Sequence, residues 1–399
     1  MKLTIERKEF QARLADVCAV ADKKSTQPVL RHFLLDANGQ GRVTATDLET
    51  TLRAPLEAII EDAGVRDKSA RPFCLPAQRL YDIVRAAEWE TIIVQEDGKK
   101  NWVHVLAGRS KYRMPALPAK DFPEFPIVKN AQEMIITAGE LLKLLDRTVY
   151  AAATEQMERY TLQGVLFHLK KKGLTVAGCD GHNLAVASAS LADGASVDLK
   201  ERKYIIPAKS AKEFQKILSG LDAESSVTVL LGENHAFFRA DQSAGQEVGL
   251  LEFVATLLEG QYPDYTRIIP KETGTTVTVL NGAFQRALER MALVHQDVSL
   301  DFKGAGAGGM EILLAARSPE AGDTVAGEAG EAEETFTTEE HKGPDAKVTV
   351  LAAPVLKALK AIGDVSVTIG LTDGQSPILL HSAEEAEAAK YKCVVMPRR

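Results

Sequence analysis

At 399 residues, with 45% hydrophobic and 26% charged residues, the chain has room for two to four domains and the composition of an ordinary globular protein. Its formal net charge of −7 argues against a nucleic-acid binder unless the cations are gathered on one surface. Cys18, Cys74, Cys179 and Cys393 form no C-x-x-C pair and no apolar run approaches a membrane span, which excludes zinc ribbons, thioredoxin-like redox sites and membrane helices.

Scattered cysteines of this kind read as free thiols in a reducing compartment. Residues 1–9 meet charge before any apolar run builds, so no secretory leader is expected and the protein should be cytoplasmic.

From the N-terminus, a short β-like run at Thr4 passes into a helix with Phe10, Leu14 and Val17 on one face. Strands follow over 30–36 and 41–47, joined by a glycine-containing turn. A strand over 73–76 enters a helix over 77–87, with Pro76 at its start. Pro123, within Asp121-Phe122-Pro123-Glu124-Phe125, marks a linker.

The same series then repeats. A run at Ile135 leads to a helix with Leu141, Leu145 and Val149, strands follow over 162–168 and 173–180, and 204–207 enters a helix over 208–218. The segment closes with Gln261-Tyr262-Pro263-Asp264-Tyr265. A third series has a run at Thr278, a helix with Phe284, Leu288 and Met291, and a strand over 348–351 entering a helix over 352–362. Three gapless matches predict three tandem copies of one α+β domain, over 1–128, 129–270 and 271–399.

Residues 317–345, rich in Gly, Ala, Glu and Thr, break the pattern and predict an acidic, flexible hairpin extension. Residues 304–309 lack the Lys-Ser/Thr of a phosphate-cradling loop and predict a turn.

With Phe284, Leu288 and Met291 facing the core, Arg286 and Arg290 fall at roughly 200° and 240° on the wheel, on the far face. The same offsets from Leu141 give Lys143 and Arg147, whereas copy one has Ala12 and Asp16 there. The second helices add Arg79 and Arg85, then Lys209, Lys212 and Lys216, then Lys357 and Lys360. A single basic helix face is an ordinary solvated face. A bias repeated in equivalent helices points to one positive surface facing a polyanion, and it disfavours a scaffold that binds proteins alone.

Asp180-Gly181-His182 could be taken for a catalytic Asp–His pair. Adjacent residues on a tight turn rarely converge on one reacting atom, and no nucleophile elbow or zinc-binding helix accompanies them. Asp47 occupies the matching turn of copy one without a histidine. No catalytic residue, metal or cofactor is expected.

The order and spacing of several motifs resemble a known family, the bacterial sliding clamp or β subunit of DNA polymerase III. They are Met1-Lys2-Leu3-Thr4-Ile5-Glu6-Arg7, Thr26-Gln27-Pro28-Val29-Leu30, Thr46-Asp47-Leu48-Glu49, Leu117–Pro123, Asp180-Gly181-His182-Asn183-Leu184-Ala185, Tyr262-Pro263-Asp264-Tyr265 and Val394-Val395-Met396-Pro397-Arg398. The resemblance covers the chain outside 317–345. It implies a head-to-tail homodimer, a six-domain ring with helices lining the hole and sheets outside, encircling double-stranded DNA without sequence preference. It also implies a docking platform for the replicative polymerase, clamp loader and repair proteins, in the bacterial cytoplasm with the nucleoid.

By the same resemblance Lys24, Gln156 and Tyr160 lie at DNA-facing loops, with Thr161 where an aromatic residue is common. Arg79, Lys143, Arg147, Lys209, Arg286 and Arg290 join them from the helix-face reading. The resemblance implies a peptide groove of Leu162, Cys179, Gly181, His182, Asn183, Leu184, Pro263, Arg267, Ile268, Val394, Met396, Pro397 and Arg398. Cys179 stands where Thr is common and Asn183 where Arg is common, so the rim is less cationic. The dimer contact is expected to pair Tyr112 and Met114 with Leu293 and Val294.

Overall fold

The computed structural model describes residues 2–37, 41–61, 72–97, 101–153, 159–171, 173–191, 200–241, 250–305, 309–317, 330–338, 340–384 and 391–398. The first copy runs β1 (Lys2–Glu6), α1 (Arg7–Val20), β2 (His32–Asp36), β3 (Gly41–Thr46), β4 (Thr50–Leu56), β5 (Ala58–Glu61), β6 (Phe73–Pro76), α2 (Ala77–Ala86), β7 (Thr91–Asp97), β8 (Trp102–Ala107), β9 (Ser110–Pro115) and β10 (Leu117–Pro118). The second runs β11 (Gln132–Thr137), α3 (Ala138–Asp146), β12 (Gly164–Lys170), β13 (Gly173–Cys179), β14 (Asn183–Ser190), β15 (Arg202–Pro207), α4 (Ala208–Leu218), β16 (Ser226–Leu231), β17 (His235–Asp241) and β18 (Leu250–Thr256). The third runs β19 (Thr275–Leu280), α5 (Asn281–Ala292), β20 (Asp297–Ala305), β21 (Gly309–Arg317), β22 (Glu331–Thr337), β23 (Glu340–Lys342), β24 (Ala346–Leu351), α6 (Ala352–Ile362), β25 (Ser366–Leu371), β26 (Ile378–Ser382) and β27 (Tyr391–Val395).

Each copy supplies two four-stranded antiparallel half-sheets in the same strand order. They are β6-β2-β3-β4 with β1-β7-β8-β9, then β15-β12-β13-β14 with β11-β16-β17-β18, then β24-β20-β21-β22 with β19-β25-β26-β27. The α+β repeat expected from the strand–helix series is therefore a repeat of topology. The helices form because Phe10, Leu14 and Val17, or Phe284, Leu288 and Met291, recur on one face, and all six are buried. The strands form because apolar residues alternate, as in β8, where Val103, Val105 and Ala107 are buried.

Contacts divide the chain into two units, and the division runs through copy two. In the first unit, β4 pairs with β18, with Leu52 opposite Phe253 and Arg53 opposite Glu252. This joins two half-sheets into a nine-stranded sheet, β10-β6-β2-β3-β4-β18-β17-β16-β11. Across the seam Arg53 Nη1 bonds Glu252 Oε2 at 3.2 Å, and its guanidinium sits 3.6 Å from the centre of the Phe125 ring. Phe214, Phe238 and Phe253 stack beneath it, with centroids 4.3 and 4.9 Å from that of Phe214. The other half-sheet of copy one, with β5 added, ends at β9 as an open edge.

The second unit repeats the construction. Here β14 pairs with β27, with Leu184 opposite Val394 and Asn183 opposite Val395. The joined sheet is β15-β12-β13-β14-β27-β26-β25-β19-β23, and the remaining half-sheet, β22-β21-β20-β24, ends at β22.

Within 317–345 the expected hairpin is present, β22 pairing antiparallel with β21, but β22 is packed against α5 rather than extending freely. On β22 the odd positions are exposed while Ala332, Glu334 and Phe336 are half-buried. Phe336 meets Phe284 of α5 edge-on at 5.7 Å, and Glu334 takes the Arg290 guanidinium, with Nε at 3.0 Å. An edge strand needs only one inward face, so one aromatic and one ion pair suffice, and composition alone hides it. Residues 318–329 lie outside the described residues, as do 306–308 at the expected glycine turn between β20 and β21.

Candidate functional site

The seam between β14 and β27 brings most of the expected groove residues side by side. The turn joining β13 to β14 is built by Asp180, whose Oδ1 accepts from the backbone N–H of His182 at 2.9 Å and of Asn183 at 2.7 Å. Asp180 Oδ2 takes the Asn183 side-chain amide at 2.8 Å, so Asn183 is spent on the turn. Both Asp180 oxygens are thus turn acceptors, and His182 is exposed, as the non-catalytic reading expects.

Copy one builds the same turn around Asp47, which accepts from Glu49 N at 3.1 Å and Thr50 N at 2.7 Å. Gly181 has φ +89°, and its counterpart Leu48 holds φ +76°. A leucine in that region carries strain of about 1 kcal/mol or more that the glycine avoids. The turns also anchor the next strand alike: Met396 N donates to His182 O at 2.8 Å, and Thr256 N to Glu49 O at 2.8 Å.

Along the seam, Cys179, Leu184 and Val394 are buried, while Gly181, His182, Met396 and Arg398 are exposed and Pro397 is half-buried. Burial pushes the Cys179 thiol pKa up, partly offset by the Gly181 N–H. Arg398 folds back, with Nε on Asp297 Oδ1 at 2.9 Å and its N–H on Thr349 O at 2.8 Å. Leu162, buried at the start of β12, accepts from Ala153 N at 2.9 Å.

Pro263, Arg267 and Ile268 lie around a short 3-10 turn, Tyr265–Arg267. The Tyr262 hydroxyl ties that segment to β13 by donating to Ala177 O at 3.4 Å. Arg267 is exposed, with Nε 3.1 Å from Asp264 Oδ2. The seam therefore has buried apolar residues, Cys179, Leu184 and Val394, bordered by exposed Gly181, His182, Met396 and Arg398.

Among the expected DNA contacts, Lys24, Arg79, Lys143, Tyr160, Lys209, Arg286 and Arg290 are exposed. Lys209 pairs with Asp47 and Arg290 with Glu334. Gln156 lies outside the described residues.

Arg147 is a correction: it is 4% exposed, its guanidinium 5.1 Å from the Tyr391 ring centre and 4.0 Å from Asp364. Arg147 still closes the last helical turn, its N–H donating to Lys143 O at 3.2 Å, so the wheel holds; what it cannot show is that Tyr391 and Asp364 of copy three cover this side of the helix end. Around it the Tyr150 hydroxyl lies 2.7 Å from that of Tyr391 and donates to Cys393 Sγ at 3.3 Å. Burial pushes both phenols well up and the Cys393 thiol up to about 12. This buried network holds β27 against copy two. Sequence reading missed it because Tyr150 and Tyr391 carry no motif.

The expected dimer residues divide similarly. Leu293, just after α5, is 86% exposed with Val294 half-buried beside it. Met114 is a second correction, being 1% exposed and turned into its own half-sheet. Tyr112 is exposed and borders a cavity of about 800 Å3 between α1 and α2, walled by Cys18, Ala21, Ile83 and Ala86.

Comparison with known proteins agrees with this geometry. Residues 1–126, 136–264 and 266–399 match the N-terminal, central and C-terminal domain models of the DNA polymerase III beta subunit. The beta sliding clamp of Caulobacter vibrioides is 30% identical, over 82% of this chain and 83% of its own. That of Escherichia coli K12 is 28% identical over the whole of both. The crystal structure of the DNA polymerase III subunit beta from Pseudomonas aeruginosa superposes with a TM-score of 0.84 at 28% identity, covering both chains fully. A second Pseudomonas aeruginosa clamp structure, bound to griselimycin, has a TM-score of 0.85 at 28% identity, covering 100% of this chain and 99% of that one. Three domain matches in order, on a threefold half-sheet plan, place the chain in the DNA polymerase III beta subunit family, the beta sliding clamps.

Proposed function

We propose that two copies of this protein close head to tail around duplex DNA, β9 of each chain pairing with β22 of the other. As a beta sliding clamp the protein is a processivity factor of replication without catalytic activity; it encircles DNA, forms dimers and binds polymerase and clamp loader. The residues and surfaces assigned to those tasks below are our reading.

The seam rule carries the closure. In β4·β18 and in β14·β27, the end strand of one copy's first half-sheet pairs with the end strand of the next copy's second half-sheet. Continuing the rule leaves β22 of copy three and β9 of copy one, both open edges. Their charges are complementary, with Lys111 and Arg113 on β9 and Glu331 and Glu333 on β22. Pairing would bury both edges. Leu293, with Val294, would then enter the cavity bordered by Tyr112, while Met114 supports β9 from inside.

Lys24, Lys143, Lys209, Arg286 and Arg290, with Tyr160, Gln156 and Arg79, serve as sequence-independent phosphate contacts, which makes binding salt-sensitive and permits sliding. The seam of Cys179, Leu184, Val394 and Met396, rimmed by His182 and Arg267, is the partner groove. Domain limits of 1–128, 129–270 and 271–399 and a cytoplasmic, nucleoid-associated location complete the reading.

The test is mass in solution followed by retention on DNA. A dimer loaded on nicked circular DNA should stay bound and should be lost when the circle is linearised. Equal retention on both forms excludes encirclement.

A further inference from the structure

Beside the groove lies a cavity of about 890 Å3, reached by only two of the expected site residues, Tyr160 and Pro263. We infer that it is an acidic-flank subsite, taking carboxylate side chains that flank the apolar anchor of a docked partner peptide. This rests on the groove reading above.

The cavity is preformed. Its walls are the turn around Arg159 and Tyr160, β15 at Lys203 and Ile205, and the segment 260–264. The Tyr160 hydroxyl donates to Glu259 O, clamping the turn to that segment. Gly260 has φ +118°, and a Cβ there would come within 2.8 Å of the Tyr160 oxygen, so the clamp needs glycine. A rigid receptor loses little entropy on binding.

The cavity is also positive. Arg159 and Lys203 are exposed on two different walls, and neither forms an ion pair among the described residues. Asp264, the cavity's carboxylate, accepts from Thr266 Oγ1 at 2.6 Å and Thr266 N at 3.2 Å and pairs with Arg267. Arg267 and Lys203 both act on its charge, so the cavity's described lining of two cations and one carboxylate keeps a net positive charge, with Arg159 the cation that Asp264 does not engage.

The cavity neighbours the proposed groove through the chain: Pro263 lines it, Thr161 on its wall precedes Leu162, and Tyr262 bonds Ala177, two residues before Cys179. A peptide leaving the seam past Leu162 would pass into it. Duplex phosphates lie on a convex rod and meet exposed cations without entering a recess floored by buried Ile205 and Tyr262. A carboxylate on a short side-chain stem can enter.

The test pans a peptide display library on the full chain. The library carries a central pair drawn from Leu, Ile, Met and Phe with four randomised positions on each side, and griselimycin serves as competitor. Asp and Glu should be enriched on one flank. Measured on individual peptides, the acidic flank should tighten binding roughly three- to tenfold, the range of two partly exposed ion pairs. That gain should vanish in Arg159→Ala/Lys203→Ala, reverse toward basic flanks in Lys203→Glu, and leave the neutral-flank peptide within about twofold. Unchanged acidic enrichment in the variants overturns the subsite while leaving the groove standing. So does a loss confined to DNA retention, which would make the cations phosphate contacts. Failure of any apolar-anchored peptide to bind in competition with griselimycin removes the groove itself.

Discussion

Leu293 offers the most direct test of ring closure. In the single chain it is 86% exposed, so truncation to alanine removes almost nothing from the monomer's own packing. In a closed ring it would be buried against the partner's Ile83, Ala86 and Tyr112. Losing the side chain beyond Cβ forfeits about 2 kcal/mol per junction, at about 0.8 kcal/mol for each buried carbon group. A head-to-tail dimer has two such junctions and dissociation breaks both, so Leu293→Ala should cost about 4 kcal/mol, raising the dimer dissociation constant roughly a thousandfold. Mass photometry and sedimentation over a dilution series would read the midpoint. Denaturant unfolding below that midpoint should agree with the unaltered protein within about 0.5 kcal/mol, as for an exposed position. Tyr112→Ala should be non-additive with Leu293→Ala, because the two would share one contact. A midpoint unmoved by Leu293→Ala would refute the junction as drawn.

Further outcomes follow from the buried charges and the groove. Glu213 is pushed up to about 7, first by burial and then by the nearby Asp47 charge, with Lys209 opposing. The folded state therefore holds an extra proton between its ordinary 4.5 and about 7, so stability falls as pH rises through that window. Glu213→Gln should stabilise the protein by about 1–2 kcal/mol at pH 8, discounted for partial exposure, and by nothing at pH 4, read by chemical denaturation. Arg147→Gln should cost about 2–4 kcal/mol by stranding Asp364 and Tyr391, yet leave the salt dependence of DNA binding unchanged. Lys143→Gln should instead lower that salt slope by about 1 with normal stability. Removing residues 396–399 should abolish capture of groove peptides and leave the dimer mass intact; loss of the dimer would reassign the tail.

The strand–helix units were legible because each rests on local periodicity. The second helices start at Ala77, Ala208 and Ala352, where proline, a preceding strand and an apolar face coincide. What stayed hidden depends on distant partners. Nothing local tells Arg53 that it will meet Glu252, or β14 that its neighbour is β27. Arg147 was misplaced because a helical wheel does not know that Tyr391 and Asp364, far along the chain in copy three, cover that side of the helix end. Met114 was misplaced because it came from the resemblance, which says nothing of the face a side chain takes; the fold buries it at the end of an otherwise exposed run, Ser110–Arg113. Within the groove, the Asp180 turn was readable from its composition. The cavity beside it was not, because Lys203 and Tyr160 come from segments with no shared pattern.

The two seams also set a timetable for synthesis. Arg53 and its partner Glu252 are 199 residues apart, so the edge of β4 stands bare while the ribosome makes the intervening chain, roughly 10–40 s at bacterial rates. The wait recurs for β14, whose neighbour β27 ends at Val395 and emerges last of all the strands. No copy can finish its own folding, since each leaves an edge for the next to cover. Besides the open edge of β9, the nascent protein therefore carries an unsatisfied seam strand forward at every stage, and chaperone binding to the seams during translation should be concentrated on β4 first and β14 second.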